Sequence, residues 1–199
     1  LPVLKIEQLS NERFGPVDLV VNNAESVCIS GASGSGKSTL LRAVADLDPH
    51  QGRVWLDDEE QHTIPAPQWR SRLGLLAAES YWWFDDVRLH FSHIEDVWFE
   101  LLGFDLDVLD WQVSRLSSGE RQRLALLRLL CHKPDVLLLD EPSANLDREN
   151  SRRVEQLIDS YQQHNAAPVL WISHDPEQIE RIARRHYRIV GGRLQEAGT

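Results

Sequence analysis

Eight residues, Gly31-Ala32-Ser33-Gly34-Ser35-Gly36-Lys37-Ser38, fit the pattern G-x-x-x-x-G-K-[ST] and lie between an apolar run and an amphipathic stretch. This placement constrains the fold more than any other feature, because the pattern works only as a loop joining a strand to the N-terminus of a helix. Its glycines permit the φ > 0 turns that aim successive backbone N–H groups inward, and the helix end adds positive potential, so the loop is a nest for phosphate. Lys37 is placed for β- and γ-phosphates and the Ser38 hydroxyl for one position around Mg²⁺, with Thr39 following on the same helix start.

The rest of the chain agrees with an α/β domain. Short apolar runs predict strands at 3–9, 17–21, 27–30, 53–56, 73–77, 136–139, 169–173 and 187–190, and Gly191-Gly192 predicts a hairpin turn into a last short strand at 193–195. Apolar residues spaced by three and four predict helices at 37–45, 120–131, 149–164 and 176–184, the last with Asp175 as N-cap and Pro176 at its first position. Residues 61–68, with Pro65 and Pro67, read as a loop. Residues from about 79 to 116 lack a buried strand and hold Trp82, Trp83, Trp98 and Trp111, so they read as a small helical insertion within a single domain spanning 1–199.

A second chemical element is Val136-Leu137-Leu138-Leu139-Asp140-Glu141, an apolar strand ending in two acids. Open α/β sheets bind ligands at the carboxyl ends of their strands, which puts Asp140 near the metal and Glu141 near the water that attacks the γ-phosphate. On its own the pair is also compatible with a solvated turn.

Charge and cysteine usage narrow the classes. Lys and Arg total 21 against 31 Asp and Glu, a formal charge of −10, and an acidic body repels the phosphate backbone that supplies most non-specific nucleic-acid affinity. No nucleic-acid partner is expected. Cys28 and Cys131 belong to no metal-binding or redox spacing and read as buried reduced thiols, and no basic apolar leader opens the sequence, so a cytoplasmic location is expected. No apolar run approaches the ~18 residues of a membrane span.

Leu116-Ser117-Ser118-Gly119-Glu120-Arg121-Gln122-Arg123 precedes a strong helix, and here the sequence resembles the ATP-binding cassette (ABC) ATPases, whose signature is L-S-G-G-Q. The chain follows that family's order: phosphate loop, helical insertion, signature, acidic strand end, Ala144-Asn145-Leu146-Asp147 as the D-loop, and His174 as the switch histidine. The resemblance implies a P-loop NTPase of the ABC type, mainly parallel in its sheet, with an N-terminal antiparallel β part and a short helical subdomain. It implies ATP and Mg²⁺ as ligands, Glu141, His174 and Lys37 as catalytic groups, and Ser38 and Asp140 at the metal.

It also implies that Ser117 and Gly119 meet the γ-phosphate held by a second copy of the chain, so that two protomers sandwich two nucleotides. Integral membrane transporter subunits are the implied further partner, docking near Tyr81, Trp82 and Trp83 on the cytoplasmic face of the plasma membrane. A soluble relative acting in DNA repair or on ribosomes is the alternative, disfavoured by the charge and by the lack of coiled coils or a tandem cassette. A small-molecule kinase would leave the signature and His174 without a role.

Three positions depart from the family pattern. Ser118 and Glu120 replace Gly and Gln in the signature. Where the family's metal-binding glutamine should follow the strand at 73–77 the sequence reads Ala77-Ala78-Glu79-Ser80, leaving Glu79 or a water as its replacement. Phe14 is the aromatic before the phosphate loop, with adenine stacking and core packing as its two readings.

Overall fold

A computed structural model describes residues 1–197. Two sheets form. β1 (Leu4–Ser10), β2 (Val17–Val21), β4 (Gln51–Leu56) and β5 (Glu59–Glu60) make an antiparallel sheet in the order β2-β1-β4-β5. β3 (Ser26–Gly31), β6 (Leu73–Leu76), β7 (Val136–Asp140), β8 (Val169–Ile172), β9 (Arg185–Val190) and β10 (Arg193–Glu196) make the second, in the order β10-β9-β3-β8-β7-β6. All its pairings are parallel except the β9–β10 hairpin, which turns at Gly191 and Gly192 as the sequence predicts.

Burial follows sheet position. β2 alternates buried and exposed residues, as a sheet with one wet face requires, whereas β7 and β8 are buried at every position. Successive β7 residues feed two cores. Val136 and Leu138 join α1 (Lys37–Val44) and the antiparallel sheet in one, and Leu137 and Leu139 join α4 (Ser118–Leu130), α5 (Arg148–Asn165) and the insertion in the other. Cys28 and Cys131 are buried free thiols, and burial pushes them up to about 12 and about 11, so both stay protonated and unreactive near neutral pH.

The 61–68 segment is not a simple loop. A 3-10 turn at Gln61–Thr63 leads into α2 (Ala66–Arg72), with Pro65 as its N-cap and Pro67 in its first turn, where a missing N–H removes no intrahelical bond. The helix holds because Trp69 is fully buried and donates its indole N–H to Val44 O at 3.0 Å. Within the insertion, α3 (Asp96–Leu101) is accompanied by 3-10 turns at Val87–His90, Leu106–Asp110 and Val113–Arg115. α6 (Pro176–Ile182) stops two residues earlier than its periodicity suggests, because Ala183 is extended and the Arg184 N–H donates to Ser26 O. Among the described residues no helix is long and apolar enough to cross a membrane.

Candidate active site

β3 runs out of the core into the phosphate loop, and α1 starts directly behind it. Gly36, the N-cap, has φ 100°, and a Cβ there would sit 3.1 Å from Arg13 O and 3.2 Å from Phe14 Cβ. Gly31 has φ 148°, and a Cβ there would meet Ile189 O at 2.8 Å. Both positions therefore require glycine. Lys37 is buried, and its ammonium donates to Gly31 O and Ala32 O, each at 2.9 Å, curling the loop around it. Burial draws the Lys37 pKa below the ordinary lysine value against the pull of Glu141 and Asp140.

Ser35 Oγ is buried without a hydrogen-bond partner, and Ser38 is exposed on the first turn of α1 beside half-buried Thr39. An unsatisfied buried hydroxyl inside a glycine-lined loop fits an anion that the loop itself does not supply. The hydroxyl of Ser38 and the carboxylate of Asp140 are hard oxygen donors of the kind Mg²⁺ takes.

The acidic end of β7 lies on the same side. Asp140 is buried in the last strand position, and Glu141 turns out of the sheet at φ 50°, an uncommon conformation for a residue other than glycine. Its N–H donates to Ile172 O at 3.1 Å, tying it to β8. His174, just beyond β8, brings Nε2 to 3.0 Å from Glu141 Oε1. Lys37, Asp140, Glu141 and His174 thus gather at the carboxyl ends of β3, β7 and β8.

Beneath His174 lies a polar linkage that sequence reasoning does not supply. Ser173 Oγ donates to Gln178 Oε1 at 2.8 Å, and Gln178 Nε2 donates to Ser143 Oγ at 2.7 Å and to Glu155 Oε1 at 2.8 Å. Arg181 also engages Glu155. Gln178 is buried, so the linkage fixes the histidine segment to the loop after Glu141 and to α5. A glutamine on an otherwise ordinary amphipathic turn is the one signal the sequence carries for it.

Ser117 caps α4 and Gly119 lies in its first turn. A Cβ at Gly119 would stand 2.9 Å from Leu146 Cδ2, so the signature turn and the 144–147 segment are in close contact. Arg123 donates to Leu102 O and to Asn150 Oδ1, while Asn150 donates from its backbone and its amide to the Asp147 carboxylate. Among the described residues no hydrogen bond or ion pair joins Ser117 or Gly119 to the phosphate loop.

Phe14 and Glu79 lie in different surroundings. Phe14 is 3% exposed and packs in the core against the antiparallel sheet, so its ring is not open for stacking on a base. Glu79 is exposed three residues beyond the end of β6, and a different glutamine, Gln122, holds this segment by donating to Ala77 O at 3.1 Å. Further on, Tyr81 and Trp83 are 77% and 64% exposed. Trp82 and Trp83 each lie 4.6 Å from the Arg128 guanidinium, which donates to Tyr81 O.

Fold, loop and strand-end acids together define a P-loop nucleotide-binding domain, and residues 14–144 match the ABC transporter family, to which the chain belongs. It is 32% identical to the lipoprotein-releasing system ATP-binding protein LolD of Pseudomonas syringae pv. tomato, covering 91% of this chain and 88% of the relative. It is 32% identical to the molybdenum import ATP-binding protein ModC of Methylococcus capsulatus, where the match covers 92% of this chain and 55% of the relative. The chain therefore spans about half the length of the ModC-type relatives.

Among solved structures, a dimeric ATP-binding cassette in a post-hydrolysis state bound to ADP and Pi superposes with a TM-score of 0.82 at 20% identity, covering 98% of this chain and 97% of that one. An ATP-bound bacterial Atm1-family ABC exporter superposes with a TM-score of 0.87 at 21% identity, covering this whole chain and 39% of the other. These two likenesses establish the ABC ATPase fold, with its mainly parallel sheet and antiparallel β part.

Proposed function

We propose that this chain is the ATP-binding and ATP-hydrolysing subunit of a membrane ABC transporter, working as a pair of identical protomers that close on two nucleotides. The observation that carries the reading is the meeting of Glu141 and His174, 3.0 Å apart, beside the buried ammonium of Lys37. Gly31, Ala32, Ser33, Gly34, Ser35 and Gly36 bring backbone N–H groups and the free Ser35 hydroxyl to the phosphates, the Ser35 N–H giving up Ala32 O, to which it donates at 3.1 Å, and Lys37 exchanges its two carbonyl partners for β- and γ-phosphate oxygens.

Ser38 and Asp140 would hold Mg²⁺, which would neutralise charge on the phosphate oxygens. Glu141 accepts a proton from the attacking water, and His174 holds that carboxylate in line. Ser117 and Gly119, on a helix N-terminus with no hydrogen bond or ion pair to its own phosphate loop among the described residues, serve the γ-phosphate of the partner protomer.

Tyr81, Trp82 and Trp83 form the face that receives the membrane subunit, the exposed aromatics supplying area and the Arg128 stack fixing their orientation. The location follows: the cytoplasmic surface of the membrane, held there by the partner. In the test, a tagged chain is recovered from detergent-solubilised membranes. It should bring an integral membrane protein with it, and the pair should hydrolyse ATP in Mg²⁺ while the Lys37→Ala pair does not. Recovery with ribosomes or DNA and no membrane protein overturns the reading.

A further inference from the structure

Among the described residues the His174 side chain has one polar partner, Glu141 at 3.0 Å. Its aim is therefore set by the backbone that carries it, and that backbone is pinned on both sides. Ser173 is buried, its N–H donates to Ile29 O at 3.3 Å, and its Oγ accepts from the Asp175 N–H at 3.1 Å. The same hydroxyl donates to Gln178 Oε1 at 2.8 Å. One buried group thus holds the residues before and after His174 and passes the restraint to α6.

The other end of the Gln178 amide reaches the segment that carries Glu141. Nε2 donates to Ser143 Oγ at 2.7 Å, and Ser143 lies in a tight turn closed by the Ala144 N–H on Glu141 O at 3.0 Å. The amide cannot be turned round. Its second N–H donates to Glu155 Oε1 at 2.8 Å, and Arg181 holds that carboxylate through bonds of 2.8 and 3.1 Å. An ionised carboxylate only accepts, so a flipped amide would set oxygen against oxygen. Gln178 is 4% exposed with its oxygen and nitrogen both engaged, a condition that makes a buried polar linkage stiff.

We propose that Gln178 is a positioning residue for hydrolysis: it fixes the spacing between the segment bearing His174 and the turn after Glu141, and so holds the histidine on the carboxylate. The inference rests on the hydrolytic reading above. Gln178 touches neither nucleotide nor water in this scheme and acts through Ser173 and Ser143. A misplacement of about 1 Å in reacting groups can cost about 10²-fold in rate, so a loosened linkage shows in kcat, while ATP binding belongs to the phosphate loop.

The test follows Mg²⁺-dependent ATP hydrolysis by the chain together with the membrane protein recovered with it, kcat being counted per nucleotide bound. In Gln178→Leu, kcat is expected to fall about 10–100-fold with KM for ATP within about twofold of wild type. The melting temperature should fall as well, because Ser173, Ser143 and Glu155 lose a partner. A role confined to stability would reduce the number of binding sites and leave kcat per site at the wild-type value. Ser173→Ala cuts one arm alone and carries the same test if the leucine variant does not fold, with a smaller fall in kcat. Gln178→Leu/Ser173→Ala should be no slower than Gln178→Leu, since both changes cut one link. Either change made in His174→Ala should cost less than about twofold in single-turnover hydrolysis of radiolabelled ATP. Wild-type kcat per site in the single variants, or the full factor recurring in His174→Ala, overturns the positioning role and leaves the hydrolytic reading standing. Absence of Mg²⁺-dependent hydrolysis by the wild-type protein overturns that reading and the positioning role with it.

Discussion

Glu141 and His174 sit at the ends of the neighbouring strands β7 and β8, and the 3.0 Å contact between their side chains is made while Glu141 holds a left-handed backbone conformation. Without that turn the carboxylate would continue along the strand direction. Left-handed backbone at a residue other than glycine persists only where the surroundings enforce it, and here the bond from Glu141 N–H to Ile172 O does so.

Glu141→Gln is expected to lower ATP turnover by about 10²–10⁴-fold, the usual contribution of a general base, while ATP binding survives. Single-turnover hydrolysis with radiolabelled ATP measures it. Light scattering of the same variant in saturating Mg·ATP should show a trapped dimer.

Glu79→Ala is expected to raise the Mg²⁺ concentration needed for half-maximal hydrolysis, and Glu79→Gln to keep it near the wild-type value, because an amide oxygen can also serve Mg²⁺. A Mg²⁺ titration of activity decides. An unchanged curve for Glu79→Ala removes this residue from the metal's surroundings.

Phe14→Ala should destabilise the protein by about 3–5 kcal/mol in urea unfolding, the usual result of emptying a packed aromatic site. Phe14→Leu refills most of that space and should leave the affinity for ATP unchanged. A large loss of affinity in the leucine variant would mean that the ring reaches the base after all.

Glu25 is buried and paired with Arg185 at 2.6 Å, joining the turn before β3 to β9. Burial pushes its carboxyl up, but the bonds from Arg185 and Asn22 outweigh that and hold it below the ordinary 4.5. A lowered folded pKa gives stability that is present above about 4.5 and is lost as pH falls through the lower folded value. Wild-type stability should therefore decline on acidification below that point, and Glu25→Gln should be less stable at pH 7 by about 1–3 kcal/mol with a flatter acid limb. Urea midpoints across the acid range check both statements.

The phosphate loop and the acidic strand end are legible in the sequence because each depends on residue type and spacing within one short segment. The signature, D-loop and His174 become legible only through their order, since each alone passes for an ordinary helix start, turn or strand end. α2 is hidden by Pro65 and Pro67, whose loop-like reading fails because both fall where a helix needs no donor and because Trp69 finds a buried slot with Val44 O as acceptor. The Ser173–Gln178–Ser143 linkage is invisible in one dimension, since it joins three unremarkable polar residues from three segments. Phe14 illustrates the opposite limit: the sequence supplies the aromatic, and only packing decides which way its ring faces.

The tie from Arg123 through Asn150 to Asp147, with Gly119 pressed against Leu146, fastens the starts of α4 and α5 into one rigid piece. In the two-fold pair proposed above, that piece from each protomer would face the other's nucleotide, so engaging one site would advance both. The physiological meaning is a threshold. Turnover should respond to ATP as a switch does, with a Hill coefficient approaching about 2, the limit for two linked sites, and low nucleotide levels would leave the machine idle rather than half-committed.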